Sequence, residues 1–279
     1  MAALDPRLNA YRPDLAAAEL RGKVEAGQFV EPALHQVVHG QAPLRREPRH
    51  DAPLDTEALF GERVKVFEID DEGWAWGQLL TDSYVGYLPA AALVKAGPEP
   101  THKVAVLRTH AFPGPDIKLP PFVALPFGAR VPVARQEGGF AVTAAGRYLP
   151  PSHLLPIDAK EPDFVAVAER FAGTPYLWGG KTSLGIDCSG LVQVSLQAAG
   201  IDCPRDTYMQ EAHFKNDVAL SDLKRGDLIF WKGHVAIARD AQSIIHANAH
   251  HMMVAVEPAA GAIERIKKAG SAVTSVKRP

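Results

Sequence analysis

The pattern of apolar and polar residues changes character twice along the chain. Residues 1–32 form a proline-interrupted arm, and the apolar spacing within it predicts a short helix from Asp14 to about Glu25. From about residue 33 to 158, short β-type runs are broken by glycine and proline, which is typical of small all-β domains. From residue 160 onward, helical and strand-like segments alternate. The chain therefore predicts β domains followed by an α+β domain.

An internal repeat divides the β-rich part in two. The segment Phe60–Val66 is matched by Phe127–Val133, and a Tyr-Leu-Pro sequence follows each copy. Two copies this far apart indicate two similar domains rather than a solenoid of short repeats. We predict two small all-β barrels, residues 33–96 and residues 101–158. Pro132 predicts an edge strand in the second barrel, because proline cannot donate a ladder hydrogen bond.

The α+β part covers residues 160–279. Its apolar periodicities predict helices at 163–172 and 188–199, strands at 228–231, 233–238, 243–247 and 253–256, and a final helix at 258–268. The segment that contains Arg205, Asp206, Tyr208 and Gln210 lacks such a pattern, and we interpret it as a loop.

Composition and charge restrict the function only broadly. The chain has 279 residues, of which 47% are hydrophobic and 22% charged, as expected for globular domains. Its formal charge of −2 gives no reason to expect nucleic acid or an anionic membrane surface as a partner. No stretch approaches the ~20 apolar residues of a membrane span. We therefore expect neither nucleic acid nor membrane as a partner.

The cysteine content and the N-terminus bear on the compartment. The 2 cysteines, Cys188 and Cys203, are too few for a disulfide framework, and we interpret Cys203 as structural. The N-terminal residues carry charges and prolines where a signal peptide needs an apolar run. We therefore expect a cytoplasmic location, where a free thiol survives.

Cys188 begins the helical segment that follows a glycine-rich loop. Asp187 is a good N-cap residue, which places Cys188 in the first turn of the helix. There the helix dipole and the unpaired amides favour a thiolate over a thiol. This position suits a nucleophile. The alternative is a small buried hydrophobic residue, the usual role of a free cysteine.

Two histidines could supply the base that a cysteine nucleophile needs. His234 opens one predicted strand and His246 lies on the next, so an antiparallel hairpin lets them face each other. Each alone could be a core histidine bonded to backbone. His250 and His251 follow closely, but without a nearby acidic or cysteine ligand we expect neither a metal nor another cofactor.

Four motifs in this order resemble the NlpC-type cysteine peptidases, papain-like enzymes of bacterial cell-wall turnover. They are Asp187-Cys188-Ser189-Gly190-Leu191-Val192-Gln193, Arg225-Gly226-Asp227-Leu228-Ile229-Phe230, Gly233-His234-Val235-Ala236-Ile237 and Ile245-His246-Ala247. The resemblance implies that Cys188 is the nucleophile, His234 the general base and His246 the residue that orients His234. It also implies that Tyr176 lies near the oxyanion of the tetrahedral intermediate.

The first β domain resembles bacterial SH3-like barrels in Gly61–Val66 and in its Gly-Trp-Ala-Trp-Gly-Gln sequence. The combination of SH3-like barrels with an NlpC-type domain is similar to the γ-D-glutamyl-L-diamino-acid endopeptidases of murein recycling. In these enzymes the first barrel closes one end of the catalytic groove, so that the substrate must have a free N-terminal L-alanine. By this resemblance, the amine would be bound by Asp187, Ser189, Glu57 and Tyr84. Asp187 could equally be only an N-cap, and Glu57 and Tyr84 could be solvated surface residues.

The expected fold is therefore multidomain, with two all-β SH3-like barrels followed by an α+β papain-like catalytic domain. The resemblance implies hydrolysis of the γ-D-Glu–diamino acid bond in murein peptides with a free N-terminal L-Ala, which releases L-Ala-D-Glu. The alternatives are another thiol amidase or acyltransferase on the same scaffold and an inert cell-wall-binding module. The expected partner is the murein-derived peptide. Its third residue, diaminopimelate or lysine, and the oligomeric state are left open.

Overall fold

The computed structural model of the protein describes residues 4–279. It divides into two compact units at the junction between Ile157 and Asp158. The predicted arm, residues 1–32, belongs to the first unit, and its first three residues lie outside the described part. Within the described residues, no helix is both long and apolar enough to cross a membrane.

The first part of the first unit is built on one seven-stranded sheet with the order β5-β4-β8-β7-β6-β3-β9. The strands of this part, including the two of the arm, are β1 Leu15–Ala17, β2 Gln28–Val30, β3 Ala33–Val37, β4 Gln41–Arg45, β5 Leu54–Leu59, β6 Arg63–Ile69, β7 Trp74–Leu79, β8 Val85–Pro89 and β9 Leu93–Lys95. The sheet packs on a core that contains Val37, Leu44, Val64 and Leu88, and strands β5 and β7 are buried along almost their whole length.

The helix predicted for the arm is wrong. Strand β1 instead pairs in parallel with β2, and a short 3₁₀ turn covers Ala18–Leu20. Leu15 and Leu20, two of the apolar residues that suggested a helix, are buried in a cluster with Phe67 and Trp76. Burial against the neighbouring sheet therefore determines the conformation of the arm, and it outweighs the helix-like spacing of the arm's apolar residues.

The second part of the first unit consists of three small sheets, with orders β13-β10-β17, β11-β12 and β14-β15-β16. Its strands are β10 His102–Val104, β11 Arg108–Ala111, β12 Val123–Pro126, β13 Arg130–Val131, β14 Val133–Glu137, β15 Phe140–Thr143, β16 Tyr148–Leu149 and β17 Leu154–Pro156. Pro132 separates β13 from β14, as its missing donor requires. The region is all-β with its own core, and its assignment as a second SH3-like barrel stays a prediction.

The two copies of the repeated motif meet inside the first unit. The Arg130 amide donates to the Phe60 carbonyl at 2.8 Å. Gly61 has a φ of +77°, and a Cβ there would lie 2.0 Å from the Arg130 carbonyl oxygen. A glycine is therefore required both for the backbone conformation and for the close approach.

The second unit places helices against a six-stranded sheet with the order β20-β25-β21-β22-β23-β24. Its elements are α1 Phe164–Arg170, β18 Lys181–Thr182, β19 Gly185–Ile186, α2 Cys188–Ala198, α3 Thr207–His213, β20 Asn216–Asp217, β21 Leu228–Trp231, β22 His234–Ala238, β23 Ser243–Asn248, β24 Met253–Pro258, α4 Ala259–Lys268 and β25 Val273–Arg278. The predicted helices and strands of this unit are confirmed. The further 3₁₀ turns of the chain cover Ala90–Ala92, Pro151–His153 and Leu220–Asp222.

Two elements of the second unit differ from the sequence expectation. The segment interpreted as a loop contains helix α3, whose Met209 and Gln210 are buried. Strand β25 was not predicted at all, yet it lies between β20 and β21. Only Val276 among its residues is buried, so the strand shows no clear apolar alternation.

We predict that Gly61→Ala destabilises the first unit much more than Gly73→Ala does. Both glycines have positive φ, but a Cβ at Gly73 would meet nothing within 4 Å. Gly73→Ala should cost about 1 kcal/mol for the backbone conformation alone, and Gly61→Ala at least ~3 kcal/mol because the Arg130 carbonyl must move. Amide hydrogen exchange of the first unit measures the difference. Equal protection in the two variants would contradict this prediction.

Candidate active site

Cys188 is the first residue of helix α2, and the loop before the helix is tied to it by Asp187. The Asp187 side chain caps the helix by accepting the Gly190 amide at 2.7 Å. The Ser189 hydroxyl donates to the same oxygen at 3.1 Å, and the other Asp187 oxygen accepts the Gly179 amide at 2.8 Å. The predicted N-cap role of Asp187 is thus confirmed, and the cap fixes the backbone on both sides of the cysteine.

Arg205 completes this cluster, although no sequence motif indicated its role. Its guanidinium is 1% exposed and donates to both Asp187 oxygens, at 2.9 and 2.7 Å. It also donates to the Ser189 hydroxyl at 2.8 Å and to the Gly180 carbonyl at 3.3 Å. The only available signal was that a buried N-cap carboxylate requires a cation.

The four residues predicted to bind the substrate amine are placed as follows. Asp187 and Ser189 lie beside Cys188, but backbone amides and Arg205 already occupy the Asp187 oxygens. Glu57 and Tyr84 belong to the first unit and are 4% and 1% exposed, so the alternative of solvated surface residues is wrong. The Glu57 carboxylate accepts from the Gln41 amide at 2.6 Å. An amine-binding role for these residues stays a prediction.

The Cys188 thiol is buried between strand β22 and helix α3. The Val235 backbone amide donates to its sulfur, and the Thr207 hydroxyl lies 3.9 Å from it. Burial raises the pKa of the thiol to about 11, and the adjacent Asp187 charge also raises it, whereas the Val235 and Thr207 donors lower it. The expected preference for a thiolate is therefore wrong for the resting protein. The dipole of α2 is outweighed by burial and by a carboxylate at the same helix end.

His234 and His246 are joined by a hydrogen bond. The distance between His234 Nε2 and His246 Nδ1 is 2.8 Å, across the predicted hairpin of β22 and β23. Burial lowers the pKa of His234 to about 3, and the neighbouring His246 contributes to the same shift. Burial also lowers the pKa of His246. The thiol and both imidazoles are therefore neutral at neutral pH.

Tyr176 lies on the loop that leads to Cys188. Its backbone forms a bridge with Ile186, and its amide donates to the Met252 carbonyl at 2.9 Å. Burial raises the pKa of the phenol, and the nearby Cys188 and Asp187 raise it further. The phenol therefore remains a hydrogen-bond donor. This protonation state is the one that an oxyanion-stabilising role requires.

Glu257 and Arg265 extend the site beyond the predicted residues. His246 Nε2 lies 2.7 Å from Glu257 Oε1, and Arg265 donates to both Glu257 oxygens, at 2.5 and 2.7 Å. Burial alone would raise the pKa of Glu257, but hydrogen bonds from Arg265 and His246 lower it to about 2. Alternation along β24 is the one signal that could have placed Glu257 near His246.

A set of possible metal ligands surrounds His246. His246, His251 and Glu257 offer ligand atoms within 4.8 Å of one another, so the expectation that no acidic ligand is near was wrong. These atoms already have partners, since Glu257 pairs with Arg265 and His251 Nδ1 bonds Asn248 Oδ1 at 3.0 Å. A metal would have to displace the guanidinium and the imidazole proton. The arrangement therefore suits hydrogen bonding better than ligation.

Comparison with known proteins agrees with this site. Residues 173–269 match the NlpC/P60 family, and residues 44–93 match the bacterial dipeptidyl-peptidase SH3 domain. A gamma-D-glutamyl-L-lysine dipeptidyl-peptidase of Bacillus subtilis is 30% identical over 201 residues, which are 65% of this chain and 65% of that protein. Dipeptidyl-peptidase 6 of Lysinibacillus sphaericus is 34% identical over 96 residues, 34% of this chain and 35% of that protein.

The aligned part of this chain thus spans less than two thirds of the length of both relatives. Among solved structures, an NlpC/P60 family protein from Bacillus cereus has a TM-score of 0.73 at 20% identity, with 88% of this chain and 99% of that chain covered. This likeness concerns the fold.

The class that these matches define is that of the NlpC/P60 domains of cysteine peptidases. The chain contains such a domain over residues 173–269, with a bacterial SH3 domain ahead of it. The matched SH3 residues fall inside the predicted first barrel, residues 33–96, whose outer bounds stay a prediction.

The neutral thiol predicts how alkylation of Cys188 depends on pH. Below a pKa of about 11, the thiolate fraction rises about tenfold per pH unit, so the rate with iodoacetamide should rise about tenfold per unit between pH 7 and pH 9. A Cys203→Ala background restricts labelling to Cys188. A rate that stays constant from pH 5 to pH 8 would instead reveal a thiolate–imidazolium pair.

We predict that Arg205→Met destabilises the second unit by about 3–5 kcal/mol, because it leaves the Asp187 carboxylate buried without a counter-charge. Lys268→Met is the control, since its partner Glu264 is 60% exposed and such pairs contribute ~0.5 kcal/mol. Urea unfolding followed by circular dichroism measures both. Similar midpoints for the two variants would show that the buried pair is dispensable.

Proposed function

We propose that the protein is a cysteine endopeptidase that hydrolyses the γ-D-Glu–diamino acid bond of murein peptides with a free N-terminal L-Ala, which releases L-Ala-D-Glu. The observation that carries the proposal is the arrangement at the start of α2. There the Cys188 sulfur accepts the Val235 amide, next to a histidine pair joined at 2.8 Å. The name of the Bacillus subtilis relative, a gamma-D-glutamyl-L-lysine dipeptidyl-peptidase, supports the bond and the dipeptide product.

In the proposed reaction, the neutral Cys188 thiol attacks the γ-carbonyl carbon of D-Glu. Its proton passes to His234 as the carbon–sulfur bond forms, so charge develops only as the tetrahedral intermediate is formed. The Cys188 backbone amide and the Tyr176 hydroxyl donate to the oxyanion of the tetrahedral intermediate. The preceding loop and the capped helix hold these donors in place before substrate arrives.

The intermediate then collapses to an acyl-enzyme. His234 returns the proton to the amine of the leaving diamino acid, and the carbonyl carbon stays bound to Cys188 as a thioester. Water then attacks the thioester while His234 accepts one of its protons. Breaking the carbon–sulfur bond releases L-Ala-D-Glu and restores the neutral thiol and imidazole.

We further propose that the enzyme selects substrates with a free amino terminus. Glu57 and Tyr84 are the residues of the first unit proposed to recognise it, with Asp187 and Ser189 as the candidates beside Cys188. Whether the third substrate residue is diaminopimelate or lysine is tested by offering both peptides. The proposed role in murein recycling and the expected cytoplasmic location are tested by cell fractionation.

We predict that the protein cleaves L-Ala-γ-D-Glu-L-Lys or its diaminopimelate analogue and leaves the N-acetylated peptide intact. Cys188→Ala should lose at least about 10³-fold in kcat/KM, because no other group can form the acyl-enzyme. Cys203→Ala is a matched control, since Cys203 is also buried and its thiol lies by the Pro204 carbonyl. Mass spectrometry of the products measures cleavage.

Each result separates the proposal from its rivals. Cleavage of the acetylated peptide would contradict selection of a free amine and would favour a general amidase. Cleavage by Cys188→Ala would contradict the nucleophile. Glu57→Gln and Tyr84→Phe should raise KM about tenfold with little change in kcat, and an unchanged KM in both would remove these residues from the amine site.

A further inference from the structure

The hydrogen bonds of the histidine pair continue to two residues that the proposed mechanism does not use. His246 bonds Glu257, and Glu257 forms a two-point ion pair with Arg265 of helix α4. The side chains of His246 and Glu257 are 0% and 11% exposed. The contact between His246 and Glu257 is therefore largely shielded from water, where hydrogen-bond direction has large energetic consequences.

The direction of each bond in this chain follows from the chemistry of its ends. An ionised carboxylate only accepts hydrogen bonds, so the hydrogen of the 2.7 Å contact lies on His246 Nε2. A neutral His246 then has its lone pair on Nδ1. Consequently His234 must donate its Nε2 hydrogen across the 2.8 Å contact, and its own lone pair lies on Nδ1.

If the hydrogen bond between His234 and His246 ran in the opposite direction, His234 could not act as the base. If His246 carried its hydrogen on Nδ1, it would donate to His234 Nε2, and a neutral His234 would hold its hydrogen on Nδ1. His234 Nδ1 is the nitrogen that must accept the Cys188 proton, because Nε2 is engaged with His246. With a hydrogen already on Nδ1, His234 would have no lone pair there for that proton. The two directions are equally satisfied hydrogen bonds between the rings, so something beyond the pair must choose between them.

Arg265 explains why the carboxylate remains a pure acceptor. Its guanidinium donates to both oxygens of Glu257, which keeps the carboxylate ionised and fixes its plane. The same positive charge disfavours a second proton on His246. When His234 becomes protonated during the reaction, the proton therefore stays on His234, from which it can reach the leaving amine.

We propose that Glu257, held by Arg265, is a positioning residue that selects the tautomer of His246 and through it places the lone pair of His234 on Nδ1. The catalytic consequence of this inference rests on the proposed function. The hydrogen-bond directions do not depend on it. Glu257 touches neither the substrate nor Cys188 in this scheme. It acts entirely through His246.

The first test uses the wild-type protein without substrate. Long-range ¹H–¹⁵N spectra report which imidazole nitrogen carries the hydrogen, and we expect the Nε2–H tautomer for both His234 and His246. An Nδ1–H tautomer at His246 overturns the proposal directly. Because no turnover is needed, this result stands even if the proposed substrate is not cleaved.

The second test compares Glu257→Gln with Glu264→Gln. An amide at 257 can donate as well as accept, so it permits both tautomers of His246. Glu264 lies on helix α4, is 60% exposed and pairs with Lys268. We expect kcat to fall about 10- to 100-fold in Glu257→Gln with KM within about twofold, and no change in Glu264→Gln.

Two further measurements separate positioning from folding. Glu257→Asp retains a carboxylate and should recover a large part of kcat, whereas a purely steric role would make it no better than the amide. The ¹⁵N spectrum of folded Glu257→Gln should show a mixed or reversed His246 tautomer. Unchanged kcat in Glu257→Gln, or a wild-type tautomer with low kcat, overturns the proposal. Absence of wild-type cleavage would instead count against the proposed function alone.

Discussion

The buried ion pair between Asp187 and Arg205 is the constraint on which the second unit's site depends. One carboxylate caps helix α2, accepts an amide of the preceding loop and neutralises a guanidinium that is 1% exposed. Burying two charges is costly, and the cost is offset here because nearly every donor and acceptor in the cluster is paired. The backbone around Cys188 is consequently held in one arrangement before any ligand is present.

The electrostatics of the site oppose charge in the resting state. Burial raises the pKa of Cys188 and lowers that of His234, so proton transfer between them is uphill until an oxyanion forms nearby. In the proposed reaction, the Cys188 amide and the Tyr176 hydroxyl donate to that oxyanion. In such a site the thiol is protected from adventitious electrophiles, since the thiolate is the reactive form.

Both ends of the catalytic arrangement terminate in an arginine–carboxylate pair. Arg205 holds Asp187 at the nucleophile, and Arg265 holds Glu257 behind the histidines. In each case the guanidinium fixes a carboxylate that in turn orients a polar group, through two-point geometry that a lysine could not reproduce. Neither arginine belongs to a recognisable sequence motif. The role of each is defined by its carboxylate partner, which lies on a different element of the fold.

The sequence by itself determined the elements whose information is local. The cap at Asp187, the helix from Cys188 and the hairpin that carries His234 and His246 follow from spacing over a few residues. Tertiary structure alone decided the extended arm and helix α3, where burial against distant elements overrode local periodicity. It also decided strand β25, which is defined by its pairing with β20 and β21. It also decided the thiol's protonation and the roles of Arg205 and Glu257. Desolvation and the partners of a buried charge are properties of the packed interior, which a linear pattern of residues does not contain.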